Sequence, residues 1–188
     1  TDWKDRNLTK AVTSGQGDSG DTDVIFLKGI GQKHQGLEIE GSMKLNDMVR
    51  LDGAVSFGKW KFDGDADGLY TEYAEDAPKQ TSYTYTLDGL YVGDQPQTAY
   101  VLGTTLTPMD GLRLQGIFKM YDKNYADWSP DSRELSGDAD RSQVWQAPAY
   151  NRLDLHASYK LPKVAGYNMT LTGHLFNALD AVYVQDAV

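Results

Sequence analysis

Between Arg152 and Leu161 every second residue is apolar. Leu153, Leu155, Ala157, Tyr159 and Leu161 share one parity; Arg152, Asp154, His156, Ser158 and Lys160 share the other. Successive side chains of a β-strand point to opposite faces, so this segment carries one oily face and one fully polar face. The contrast recurs upstream. Leu37, Ile39, Gly41, Met43 and Leu45 oppose Glu38, Glu40, Ser42 and Lys44. Val49, Leu51, Gly53, Val55 and Phe57 then oppose Arg50, Asp52, Ala54 and Ser56, with Asn46-Asp47 as the tight turn between the two runs. A sheet of such strands suits a boundary between lipid and water.

Other segments follow the pattern less cleanly. Trp3–Leu8 reads as a short strand, Thr13–Asp23 as a Gly/Ser/Asp-rich loop, and Val24–Ile30 as a resumed strand. Asp63–Lys79 reads as a long acidic loop. Strand character returns over Tyr83–Val92, and Gly93–Gln97 interrupts it; Pro96 there suits only a strand start or a bulge. Thr98–Thr107 and Leu112–Tyr121 flank the turn Pro108–Gly111. Ser129–Ala147 is a second long polar loop, and Met169–Leu175 pairs with Arg152–Leu161 as a final hairpin. No segment has helical periodicity.

Composition narrows the function. The chain has 188 residues, no cysteine and a formal charge of −9. That excludes disulfides and thiolate metal sites, and it argues against nucleic acid as a partner. No apolar run reaches about 18 residues, so no transmembrane helix is expected. The start, TDWKDRNLTKAV, lacks the apolar core of a signal peptide, and both ends read as positions inside a longer chain. Mean hydropathy is low, which a membrane barrel tolerates because half of each strand faces the lumen.

Turn lengths alternate between about three to six residues and about fifteen to thirty, the pattern of short periplasmic turns and long extracellular loops. The expectation is an all-β fold: an antiparallel transmembrane β-barrel segment of about seven or eight strands. Two rivals stand beside it. A soluble carbohydrate-binding sandwich would bury its apolar parities against one another, and a small outer-membrane pore would close within this chain. Gly41, Gly53, Gly116 and Gly173 sit mid-strand on the apolar parity, where a curved wall accommodates them. Trp60, Tyr121, Tyr125, Trp128 and Tyr159 lie near strand ends, the place of an aromatic girdle, with Trp60 and Tyr121 on the polar parity.

The stretch KHQGLEIEGSMKLNDMVRLDGAVSFGKWKF resembles a barrel hairpin of TonB-dependent outer-membrane receptors, as does GLYVGDQPQTAYVLGTTLTPMDGLRLQGIFKMYDKNYADW. The tail, NRLDLHASYKLP through MTLTGHLFNALDAVYVQDAV, is similar to the family's last strands, with Phe-Asn-Ala-Leu-Asp and a following aromatic as the most specific element. The resemblance implies a barrel of about 22 strands around a plug. It implies a bacterial outer-membrane location, bathed by lipid and lipopolysaccharide, and uptake of ferric siderophores, cobalamin, oligosaccharides or peptides. TonB with ExbB and ExbD would drive that uptake through the plug. On this reading residues 1–188 are a C-terminal portion of the barrel, without plug, TonB box or last strand.

Nothing in the chain reads as an enzyme: no nucleophile elbow or phosphate-binding glycine loop is present, and no cofactor is expected. Cargo contacts are expected from Trp60, Tyr70, Tyr73, Tyr125, Trp128 and Trp145 in loops and rim, where rings stack on sugars or heterocycles. The acidic loops favour a neutral or cationic cargo. Asp63, Asp65 and Asp67, with Gly68, match the opening of an EF-hand-type loop and make a candidate structural calcium site, although position twelve is Ala74 and not glutamate. His156 and His174 lie on the polar faces of adjacent strands, a start for a metal site or a plain lumen lining. The sequons at Asn7 and Asn168 read as chance matches.

Overall fold

The computed structural model describes residues 1–16, 22–72, 77–129, 133, 141–163, 166–184 and 187. Among these the chain forms eleven strands and no helix: β1 (Asp2–Gln16), β2 (Thr22–Lys44), β3 (Val49–Phe62), β4 (Ala66–Glu72), β5 (Lys79–Tyr85), β6 (Thr98–Met109), β7 (Leu112–Asp122), β8 (Asn124–Tyr125), β9 (Gln146–Ala147), β10 (Tyr150–Lys160) and β11 (Thr170–Leu175). Seven of them build one antiparallel wall in the order β11-β10-β7-β6-β3-β2-β1. The wall is open: β1 and β11 are its outer strands and do not pair with each other. The small closed pore is therefore not the architecture seen.

Cross-strand register keeps the apolar parities on one face of the wall. Leu37 meets Phe57, Ile39 meets Val55, Leu102 meets Phe118, Phe118 meets Leu153, and Leu155 meets Leu175. This face has no protein layer on it. Leu102 is 55% exposed and Leu171 66%, and Leu114 and Phe118 are also exposed. A sandwich would have hidden them, so the soluble reading fails on this observation. An uncovered apolar sheet of this extent is stable only with another apolar phase against it.

The short turns all lie at one end. At Asn46 the side-chain Oδ1 accepts the backbone N–H groups of Met48 and Val49, both at 2.8 Å, and so closes the β2–β3 hairpin. At the opposite end the strands rise past the wall. β2 is 23 residues long: Gln32–Lys44 pairs with β3, and Val24–Lys28 pairs with β4. β4 thus continues the line of β3 after a break at Asp63–Asp65. The sequence reading of Asp63–Lys79 as an acidic loop is corrected here, because Ala66–Glu72 is ladder. Of the expected loop Thr13–Asp23, residues 13–16 and 22–23 are instead the ends of β1 and β2, residues 17–21 lying outside the described residues, and the strand expected over Tyr83–Val92 stops at Tyr85.

Gly29 sits where this extension departs. Its φ of +70° is one that L side chains rarely adopt. The register against β1 slips by one residue between Leu27 and Ile30, the mark of a bulge. Below it the even residues Gln32, His34, Glu38 and Glu40 share the polar face with Ile30. Above it the odd residues Asp23, Ile25 and Leu27 turn inward and are buried. One inserted residue therefore carries the polar-side parity into an apolar core.

That core is a cap above the wall. Ile25, Leu27, Ile30, Phe62, Ala66, Tyr85, Leu87, Leu90, Tyr125, Trp128 and Val144 form a single buried cluster. The described segments between the wall strands thus share a dry interior of their own. Gly68 is needed there: a Cβ on it would stand 2.5 Å from the Tyr85 ring and 2.9 Å from Leu27.

Candidate functional site

The polar face of the wall, where it meets the cap, collects the side chains with chemistry. His34 of β2 lies opposite Trp60 of β3 in register, and their rings stack with centroids 5.5 Å apart. Trp3 of β1 stacks on the other side of His34 at 5.2 Å, and the Arg6 guanidinium lies 4.4 Å from the Trp3 centroid. The result is a ladder Arg6–Trp3–His34–Trp60 across three strands. Cation–ring and ring–ring contacts of this kind hold flat surfaces in fixed orientation. Gln97 locks Trp60 from the cap side: its Oε1 accepts the Trp60 N–H at 2.9 Å and its Nε2 donates to the Trp60 carbonyl at 3.0 Å.

A second stack lies further along the same face. Tyr121 of β7 packs against Tyr150 of β10 at 5.1 Å, and Tyr183 lies flat on Tyr150 at 4.3 Å. Beneath it is Asp154, 1% exposed. Lys119 Nζ and Arg152 Nη2 both donate to its Oδ2 at 3.1 Å, and the Asn177 N–H donates to Oδ1 at 3.0 Å. A buried carboxylate without such partners would be strongly unfavourable. This explains the FNALD-x-x-Y element. Asn177, at φ +52°, brackets the turn by exchanging side-chain hydrogen bonds with the backbone of Ala181, and Tyr183 returns to the stack.

The residues expected to meet cargo are dispersed. Trp60 is half-buried in the first ladder. Tyr70 is half-buried on β4, its O–H donating to Asp23 Oδ2 at 2.6 Å. Tyr125 and Trp128 are interior to the cap, Trp128 at 1% exposure, and there they hold the loops together. Trp145 is 51% exposed on the outer surface of the cap. Tyr73 lies outside the described residues. The residues missed from sequence are Trp3, His34, Tyr150 and Tyr183. Two had a signal: His34 extends the parity of Glu38 and Glu40, and Tyr150 that of Arg152 and Asp154.

The three aspartates of the calcium pattern do not converge. Lys33 Nζ lies 2.6 Å from Asp63, and the Thr84 hydroxyl donates to Asp67 at 2.9 Å. Asp65 Oδ1 accepts the N–H groups of Leu87 (3.1 Å) and Asp88 (3.0 Å), and Arg141 Nη2 donates to Oδ2 at 3.0 Å. Among the described residues no three His, Cys, Asp or Glu side chains gather around one point. Asp65 is instead the clasp of the cap. Partial burial pushes its carboxyl up, but Arg141 and the two N–H groups outweigh that and hold it below the usual carboxylate value. A depressed folded value means stabilisation present above the unfolded value, about 3.9, and lost as pH falls through the folded one. Hydrogen-exchange protection of the Leu87 and Asp88 amides should therefore hold at neutral pH and fall in that acid window. In Asp65→Asn it should be reduced at neutral pH and lose most of its acid dependence.

An uncovered apolar face, a polar face with buried charge clusters, short turns below and a folded cap above describe a segment of membrane barrel. The model of the family described as TonB dependent receptor-like, beta-barrel, matches residues 3–178. The chain belongs to that family. Comparison with curated proteins and with solved structures gave no match. TonB-dependent receptors are outer-membrane transport proteins, so the polar face lines the lumen, the short turns are periplasmic and the cap is extracellular. Both aromatic stacks then stand at the upper rim of the lumen of a TonB-dependent receptor.

Proposed function

We propose that this chain forms wall and outer cap of a receptor that takes up a scarce nutrient, and that cargo is held at the upper lumen between the two aromatic stacks. Ferric siderophores, cobalamin, oligosaccharides and peptides are the cargo classes this reading admits. The observation that carries it is the placement of Trp3–His34–Trp60 and Tyr121–Tyr150–Tyr183 on the lumen face directly below the cap. Rings fixed at a rim offer flat apolar area to sugars and heterocycles while their polar edges stay wet. The acidic balance of the chain, −9 overall, favours a neutral or cationic cargo. Outer-membrane lipid and lipopolysaccharide would surround the wall, and TonB with ExbB and ExbD would supply the energy through the plug.

The test is isothermal titration calorimetry on the full-length protein in detergent micelles. Cobalamin, a ferric catecholate, an oligosaccharide and a short cationic peptide are titrated in turn. One of the four should bind saturably, and Trp60→Ala or Tyr150→Ala should each weaken it by roughly threefold to tenfold, the loss of one stacking contact. Binding indifferent to both substitutions would place capture elsewhere.

A further inference from the structure

The lumen face holds a second constellation, outside the aromatic stacks. His156 of β10 and His174 of β11 are directly opposite in register, and their Nδ1 atoms are 2.8 Å apart. Phe176 packs against both rings, with centroids at 5.7 and 6.0 Å, and so limits how they can turn. The geometry points to His156 and His174 as a lumen-facing chelate for a borderline divalent transition metal, Cu2+ or Ni2+ ahead of Zn2+.

Three features carry this. The first is bite. Two nitrogens each about 2.0–2.1 Å from one ion stand about 2.9 Å apart at a right angle and about 3.3 Å apart at a tetrahedral angle. The observed spacing is close to the first, the arrangement of tetragonal Cu2+ and Ni2+. The second is donor type. The neighbour of His156 on β7 is Gln115, whose amide donates to Thr105, and the nearest carboxylate on the same face, Asp154, is taken up by Lys119 and Arg152. Two imidazoles with no free carboxylate beside them among the described residues select nitrogen-loving ions over Ca2+ or Mg2+. The third is the backbone. Paired antiparallel strands fix both Cα atoms, so little ordering remains when the ion arrives.

Without an ion, one ring donates its Nδ1–H to the bare Nδ1 of the other. Metal binding requires the donor ring to carry its proton on Nε2 instead and both rings to turn until their Nδ1 lone pairs converge on the ion, so both become ligands and no proton is lost. The remaining coordination positions open to the lumen and take water.

The full-length protein in detergent micelles, stripped with a chelator, is titrated with CuSO4 and followed by electron paramagnetic resonance. One equivalent should give a tetragonal signal with superhyperfine structure from two nitrogens. His156→Gln and His174→Gln should each remove one nitrogen and weaken binding by at least about tenfold. Heat-modifiable gel mobility reports that both variants remain folded. In the unmutated protein one equivalent of Cu2+ should also shield both imidazoles from diethyl pyrocarbonate, a readout that needs no variant. A first equivalent without nitrogen ligation, a spectrum unchanged in a folded His174→Gln variant, or no shielding would overturn the assignment.

Discussion

Ile39→Arg should abolish assembly of the protein in the outer membrane, whereas Glu40→Arg, one residue along the same strand, should assemble normally. Both lie near the middle of the Gln32–Lys44 span that pairs with β3. Ile39 is among the most exposed apolar side chains of the wall, flanked by Val55 and facing away from the lumen. An arginine on the lipid side at mid-depth costs about 2–4 kcal/mol, a large fraction of the margin by which domains are stable. Glu40 faces water in the lumen, where its neighbour across the strand is Ala54, and a guanidinium there has carboxylates such as Asp52 and Glu38 on the same face. Heat-modifiable gel mobility and recovery from outer-membrane fractions read the difference. Equal behaviour of the pair would reverse the assignment of faces.

Trp128→Ala should unlock the cap and leave the wall intact. Trp128 is among the largest fully buried side chains, and its ring lies 5.9 Å from that of Tyr85 in the cap core. Truncating a buried tryptophan costs about 3–5 kcal/mol. The cap core is a cluster of modest size, so a loss on that scale approaches its whole local stability. The open population should rise about a hundredfold or more, if cleavage is slow relative to reclosing. Trypsin cleavage after Arg141 on intact cells would show it, while gel mobility of the wall stays unchanged. Resistance equal to the unmutated protein would mean that the wall strands, and not the core, hold the cap in place.

The wall was legible because period-two alternation is a local property and register only repeats it across strands. The hairpin around Asn46 needed no more than side-chain parity and a turn residue. The cap was not legible for two physical reasons. At Gly29 the chain inserts one residue, so parity read from below assigns the wrong face of β2 above, and polar breaks such as Asp63–Asp65 read as loop rather than as a pause in a ladder. A polar composition also hides a small core: Tyr125 and Trp128 sit among Asn, Lys and Asp, as loop residues would, and only tertiary packing shows that they are interior. The Asp63, Asp65 and Asp67 pattern misled in a related way. Spacing by two suits a metal-binding loop, but here it falls at the break between β3 and β4, where each carboxylate has its own partner. Among candidate site residues, Trp60 was found because it extends the wall's polar parity. Trp3 and Tyr183 were missed because their placement depends on pairing and on the Asn177 turn.

The continuity of β2 from wall to cap has a mechanical consequence. A mouth closed by separate loops could open one flap at a time. Here the stems are shared, and Phe62, β4 and β5 ride on the same ladder as Ile25 and Leu27. Motion has its natural pivot where the ladder is already broken, at Gly29 on one stem and at Asp63–Asp65 on the next. Any rigid-body tilt of the cap would therefore carry both stems together and turn at that one height, not at the tips that first touch the medium.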